Sequence, residues 1–213
     1  VRSETPVQRE LIDAAPELKV IAVAAVGVAN IDVDYATQKG ILVVNTPGKN
    51  TNSAAELAMG LLLAAMRKIV TADANMRRLG WDRHRFSGPE LMHKTIGIVG
   101  LGNVGHRMAR FCQGFDMRVL AYDPYIPDET FARHRAEKVD WPTLVRESDI
   151  ISVHVPKTRE TVGMIDAKTI AAMKKGVVLI NAARGGIIDD RALLDALRSG
   201  YVAAAGIDTW QVE

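Results

Sequence analysis

Three glycines, Gly100, Gly102 and Gly105, follow the apolar run Thr95–Val99 at the spacing G-x-G-x-x-G. After a strand and before a helix, that spacing suits one piece of chemistry, the holding of a pyrophosphate on backbone N–H groups at a helix N-terminus. In such a loop Gly100 would allow the tight turn. Gly102 would let the backbone approach the phosphates, and Gly105 would let the helix pack close to the strand. The other half of the signal is an acid at the end of the next strand. Asp123 lies 18 residues after Gly105 and closes the run Val119-Leu120-Ala121-Tyr122. A carboxylate there accepts bonds from both ribose hydroxyls and repels a 2′-phosphate, which favours NAD over NADP. Arg133 and Arg135 stand too far downstream to reverse that preference. The glycines alone are a weak signal; strand, loop, helix, strand and acid in order are a specific one.

Other reactive side chains are sparse. The five histidines are scattered with no metal-ligand spacing, so no metal is expected. His84 and His93 sit in a polar connecting stretch. Cys112, the only cysteine, lies in a helical pattern beside Phe111, which points to buried packing rather than a nucleophile. A lone cysteine also fits a reducing compartment, and the expected location is the cytoplasm.

The elements that must position these residues alternate between short β-rich runs and helical patterns. Strands are expected at 19–26, 41–45, 95–99, 118–123, 150–155, 177–183 and 202–208, as short apolar runs bounded by turn residues. Helices are expected at 34–40, from Ser53 to about Leu79, from Asn103 to Gln113, and at 166–175 and 190–199, with weaker patterns at 128–136 and 142–147. Ser53 and Glu56 have the spacing of a capping box. Asp166 would cap the helix that Gly176 closes. The stretch 80–94 reads as an irregular arm. This alternation predicts an α/β fold with a doubly wound parallel sheet, and a boundary near Ser53.

Composition narrows the functional classes. Hydrophobic residues make up 48% and charged residues 24% of 213, the usage of a globular domain with a real core. A net charge of +2 gives no basic stripe for nucleic acid, so no nucleic-acid partner is expected. Apolar runs are too short or interrupted to span a bilayer, so no membrane partner is expected either.

Later segments give a family resemblance. Asn181-Ala182-Ala183-Arg184-Gly185-Gly186-Ile187-Ile188-Asp189 and Gly206-Ile207-Asp208 join the glycine loop, Val26-Gly27-Val28-Ala29-Asn30-Ile31-Asp32, Asn45-Thr46-Pro47 and Ala55-Glu56-Leu57. Together they resemble the D-isomer-specific 2-hydroxyacid dehydrogenases over essentially the whole chain, closest to the phosphoglycerate dehydrogenase and hydroxypyruvate reductase branches. The resemblance implies a Rossmann NAD-binding domain at 54–213 and part of a flavodoxin-like substrate domain at 1–53. It implies NAD as cofactor, and a small 2-hydroxy or 2-keto acid as substrate.

By matching positions, Arg184 would bind and polarise the keto acid. A planar, permanently charged guanidinium can grip carboxylate and keto oxygen together and stabilise charge developing on that oxygen. The glycines after it would leave room for substrate. Glu213 would orient the catalytic histidine and raise its pKa. In the family that histidine lies some twenty residues further on, so the chain reads as a fragment lacking both ends, able to bind NAD but poor at hydride transfer. Val1-Arg2-Ser3 reads as the end of an early strand. Asn103 and Val104 would present amides to the pyrophosphate. His154, Val155, Pro156 and Thr161 would line the adenosine side. Ala182 and Arg184 would approach the nicotinamide, and Asp208 would bond its carboxamide. Backbone N–H groups of Ala25, Val26 and Gly27 would take the substrate carboxylate. Val23 replaces an arginine often found in phosphoglycerate dehydrogenases, which weakens the case for a phosphate-bearing substrate. The long helix and arm imply a homodimer through the cofactor domain. The alternative within the fold is an NAD-sensing corepressor, and an amino-acid or homocysteine-linked NAD enzyme is disfavoured by the Asn-Ala-Ala-Arg-Gly-Gly stretch.

Overall fold

A computed structural model describes residues 1, 2, 4–28 and 30–212. It divides into two compact units, Val1–Thr51 and Asn52–Glu213.

In the first unit, helix α1 (Arg9–Asp13) precedes strand β1 (Val20–Ala22), helix α2 (Val33–Gln38) and strand β2 (Leu42–Val44). The strands pair in parallel, Val20 with Leu42 through Ala22 with Val44. Both are shorter than their apolar runs, and beyond β1 the chain bends at 24–26. Asp32 caps α2 by accepting from the Tyr35 N–H at 2.9 Å, and Gly40 leaves it at φ +72°. Val7, Ile12, Ile21, Val23, Ile31, Ala36 and Ile41 form a small core of their own. Val1 exchanges two backbone bonds with β1 and its extension, Val1 N to Ala22 O at 2.7 Å and Ala24 N to Val1 O at 2.9 Å. No strand is assigned at Val1 or Arg2, and Ser3 of the expected strand end lies outside the described residues.

The second unit carries helices α3 (Thr51–Met66) and α4 (Ile69–Arg77), then β3 (Thr95–Val99), α5 (Gly105–Gln113), β4 (Arg118–Tyr122), α6 (Asp128–Arg133), β5 (Glu137–Lys138) and α7 (Trp141–Glu147). It continues with β6 (Ile150–Val153), α8 (Ala167–Ala171), β7 (Val177–Asn181), α9 (Asp190–Arg198) and β8 (Val202–Ile207). Its six strands run parallel in the order β5-β4-β3-β6-β7-β8. Strand β3 is buried along its whole length, as are β6 and β7, the pattern of a sheet covered on both faces. Side chains alternate between the faces. Ile150, Val178 and Ile180 join α3 and α5 in one core. Ile151, Val153, Val177 and Leu179 join α7, α8 and α9 in the other. Cys112 lies wholly buried in the first core, and burial pushes its thiol up to about 12, so it packs and does not react.

Several expectations need correction. The long helix from Ser53 is two helices. Lys68 takes the left-handed conformation at φ 54° between them, where the arm crosses: a Cβ on Gly88 would lie 2.1 Å from Met66 O, and Lys68 Nζ donates to Arg85 O at 3.2 Å. The helix begins at Thr51, so Ser53 lies inside its first turn and the capping box does not form. Strand β5 has two residues, too short to show a pattern. Helix α5 opens at Gly105 rather than at Asn103.

Candidate dinucleotide-binding site

The strand order reverses direction between β3 and β6, which start crossovers to opposite sides. Ligands of open α/β sheets sit outside the carboxyl ends of the strands at that point. The glycine loop lies there, and each glycine answers a different demand. Gly100 has φ +88°, and a Cβ on it would stand 2.8 Å from Val155 Cγ1 and 3.0 Å from His154 O. It is the turn glycine, and the loop also needs it for its approach to the end of β6. At Gly105 a Cβ would lie 1.9 Å from Gly100 O, so the helix can start this close to the strand only without a side chain. Gly102 has nothing within 4 Å. No protein atom explains that glycine; an approaching ligand would.

The N–H groups of Gly102, Asn103, Val104 and Gly105 have no acceptor among the described residues. Four orphaned donors at a helix N-terminus need a partner, and a pyrophosphate supplies acceptors of the favoured charge. Beside them Asp123 closes β4. Its Oδ2 accepts from Leu101 N at 3.0 Å and its Oδ1 from Tyr125 N at 3.0 Å. Each oxygen keeps a lone pair for a ribose hydroxyl, and the two backbone bonds hold the carboxylate against the glycine loop.

A cleft of about 490 Å³ opens here, lined among others by Gly100, Gly102, Asp123, His154, Pro156 and Thr161. Val155 shares this wall. His154 is only partly exposed, and burial pushes its imidazole down to about 4. Its Nε2 lies 2.9 Å from the Oγ of buried Ser152, a partner not singled out in the sequence. Thr161 is turned inward on its own loop, donating from Oγ1 to Pro156 O at 2.6 Å and accepting from Thr158 N at 2.8 Å. Across the mouth of the cleft, Tyr125 donates to Glu160.

Further along the same edge, β7 ends in the Arg184 turn. Buried Asn181 builds it: Oδ1 accepts from Ala183 N at 3.0 Å and Nδ2 donates to Arg184 O at 3.0 Å. Ala182 is half-buried between them. Arg184 is exposed, makes no ion pair among the described residues, and folds Nη1 back on Ala183 O at 2.6 Å. The glycines after it do not leave open room. A Cβ on Gly185 would sit 1.7 Å from Trp210 O, and one on Gly186 would sit 3.2 Å from Lys157 Nζ. The chain's own Trp210 and Gln211 fill the space at Gly185, and the end of the Lys157 side chain lies over Gly186. Asp208 is exposed at the end of β8, its N–H donated to Asn181 O at 2.9 Å. Glu213 lies outside the described residues.

In the first unit, the bend after β1 holds Ala25, Val26 and Gly27. The carbonyls of Ala25 and Val26 are tied down by Thr46 N at 3.1 Å and Asn45 Nδ2 at 2.8 Å. The three N–H groups find no acceptor among the described residues. Val23 is buried in that unit's core. Among the described residues no group of three or more His, Cys, Asp or Glu could hold a metal, and no helix is long and apolar enough to cross a membrane.

A doubly wound parallel sheet, orphaned helix-terminal amides at its switch point and an anchored acid after the second strand define a Rossmann dinucleotide-binding domain. The chain belongs to the D-isomer specific 2-hydroxyacid dehydrogenases, and residues 59–213 match that family's NAD binding domain. It is 50% identical over 213 residues to a D-3-phosphoglycerate dehydrogenase of Archaeoglobus fulgidus, covering 100% of this chain and 40% of the relative. It is 46% identical to a hydroxypyruvate reductase of Thermotoga maritima, covering 100% of this chain and 69% of the relative. Among solved structures, a D-lactate dehydrogenase from Aquifex aeolicus complexed with NAD and lactic acid superposes with a TM-score of 0.89 at 33% identity, covering 100% of this chain and 64% of that one. The chain thus spans well under half the length of the phosphoglycerate dehydrogenases it resembles.

Proposed function

We propose that this chain is the cofactor-binding part, with a portion of the substrate domain, of an NAD-dependent oxidoreductase that interconverts a D-2-hydroxy acid and its 2-keto acid. The substrate class is that of the phosphoglycerate dehydrogenase and hydroxypyruvate or glyoxylate reductase branches. The observation that carries the reading is the set of four unpaired N–H groups at Gly102–Gly105 beside anchored Asp123. Residues 54–213 act as the NAD-binding domain and 1–53 as part of the substrate domain.

Bound NAD supplies a hydride acceptor or donor at its nicotinamide ring. Gly102, Asn103, Val104 and Gly105 hold the pyrophosphate on backbone N–H, and Asp123 takes the ribose hydroxyls and excludes a 2′-phosphate. His154, Val155 and Pro156 wall the adenosine side. The depressed imidazole keeps His154 neutral at pH 7, which argues against a proton donor and supports a lining role. Thr161 braces its own loop and bounds the cleft. Ala182 and Asp208 face the nicotinamide. Arg184, without a carboxylate partner among the described residues and held on a turn clamped by Asn181, polarises the keto oxygen. Ala25, Val26 and Gly27 offer N–H groups to the substrate carboxylate, and Glu213 orients the proton-donating group.

Homodimerisation through the cofactor domain is supported by the apolar surface on α3, α4 and the arm, where Leu57, Ile69, Val70, Met76, Leu79 and Trp81 are exposed. A free, buried Cys112 suits the reducing cytoplasm.

Titration with NADH and with NADPH, followed by tryptophan fluorescence, tests the cofactor assignment. Saturable NADH binding with at least about tenfold weaker NADPH binding is expected from one repelled phosphate. Equal affinities would remove Asp123 from its role. Turnover of hydroxypyruvate and D-3-phosphoglycerate by the complete protein then separates the two branches.

A further inference from the structure

In the second unit, α5 meets the turn between α6 and β5. A cleft of about 300 Å³ lies there, lined by Arg107, Arg110, Arg133, Arg135, His106 and His134. Four guanidinium groups share it, and none forms a salt bridge among the described residues. Elsewhere Arg2, Arg9, Arg77, Arg118 and Arg191 pair with a carboxylate and eight other arginines do not among the described residues; what sets these four apart is that they share one cleft. In a chain of net charge +2 this concentration is local, not general. Like charges gathered in one cleft repel, and surfaces normally intersperse the signs unless a field of one sign has a use.

Three further features make the cleft a built one. Arg107 Nε is enclosed and has no hydrogen-bond partner, an orphaned charged donor that costs free energy until something accepts from it. The rings of His106 and His134 stack, with centroids 4.5 Å apart and planes 19° apart. Gln113 fixes the turn to the helix, donating from Nε2 to His134 O at 2.7 Å and to Arg135 O at 2.9 Å. His134 is held below the ordinary histidine range by burial first, then by the positive charge of His106 and Arg133.

We propose that this cleft is a second anion site, distinct from the cofactor cleft, that binds a phosphate group. Guanidinium forks match phosphate oxygens in pairs, and the volume admits a phosphate with a small organic remainder. The site adjoins the cofactor loop, because His106 Nδ1 lies 2.8 Å from Gly102 O. An occupant that draws on His106 therefore bears on the loop that holds the pyrophosphate.

The test uses the complete protein saturated with NADH, so that the glycine loop is already filled. Inorganic pyrophosphate is titrated by calorimetry, with the His134 ring followed by NMR. The expected result is one saturable site, weakened as salt rises, with a His134 resonance that moves on binding. The single substitutions Arg133→Ser and Arg135→Asn, at exposed positions, should each weaken pyrophosphate about tenfold or more and leave NADH affinity within about twofold. No saturable binding to the NADH-loaded protein overturns the proposal. So does binding that neither substitution changes. Binding that appears only after the protein is dissociated to monomers also overturns it, since the arginines would then serve acidic groups of a second copy.

Discussion

The loop after β3 and the loop after β7 both place glycines at the carboxyl edge of one sheet, yet a side chain added to them would meet different things. At Gly105 and Gly185 it would strike the chain's own backbone, 1.9 Å from Gly100 O and 1.7 Å from Trp210 O. At Gly102 it would meet nothing within 4 Å. The first kind of glycine is a packing device; the second keeps a surface bare. The β3 loop has both kinds, with the four donors of Gly102–Gly105 unpaired among the described residues. The β7 loop has one packing glycine, Gly185, and one that supplies a positive φ, Gly186 at +80°, and its turn is satisfied internally by Asn181. One loop leaves backbone donors without acceptors among the described residues. The other closes its backbone, with Arg184 Nη1 folded onto Ala183 O.

The largest effects should come from the packing glycines. Gly105→Ala and Gly185→Ala each set a methyl against backbone that cannot swing away, costing about 1–3 kcal/mol or more. Urea denaturation should show both losses. NADH binding should fail in the first variant and survive in the second, where a drop in turnover by the complete protein should appear instead. If Gly185→Ala abolished NADH binding while folded, the two loops would not be separable in function.

Next in size is an acid effect on the wall of the β3 loop. The native imidazole of His154 sits at about 4 against an ordinary 6.5. Between those values the unfolded chain binds the extra proton and the folded chain does not. Stability therefore falls as pH drops from about 6.5 to about 4, by at most about 3 kcal/mol. His154→Gln should flatten that part of the urea-derived stability profile relative to the parent. Parallel profiles for the two proteins would mean that the ring is not held neutral by burial. Removing the clamp of the β7 loop comes third. Asn181→Ala orphans the Ala183 N–H and should cost about 1–3 kcal/mol. It should lower kcat through Arg184 while leaving NADH affinity unchanged.

The cofactor half of the site was legible in the sequence because its signals are local. Gly100, Gly102 and Gly105 act within one turn, and Asp123 ends the very next strand. Central strand β3 read correctly, and β6 and β7 read correctly at their starts but end two residues earlier than expected, at Val153 and Asn181; burial on both faces leaves largely apolar runs. What stayed hidden depends on contacts distant in sequence. The break at Lys68 answers to Gly88 in the arm. The two-residue β5 exists because β4 offers it an edge. Gly185 looks like a glycine leaving room for substrate until Trp210 is seen filling that space. Ser152 beside His154 could have been suspected, since a polar residue two positions earlier in a buried strand needs a partner.

The smallest effect on stability is the most telling about the comparison. Gly102→Ala adds a methyl to open space at a position without positive φ. It should change stability by no more than about 0.5 kcal/mol, with a slight gain from a less flexible unfolded chain. The methyl would stand where the backbone must approach phosphate, so NADH affinity should fall about tenfold or more, equal to about 1.4 kcal/mol. A variant that is stable but blind to NADH would show that this glycine serves the ligand and not the fold. Undiminished NADH binding would place the pyrophosphate elsewhere along the helix terminus and make Gly102 an ordinary loop residue.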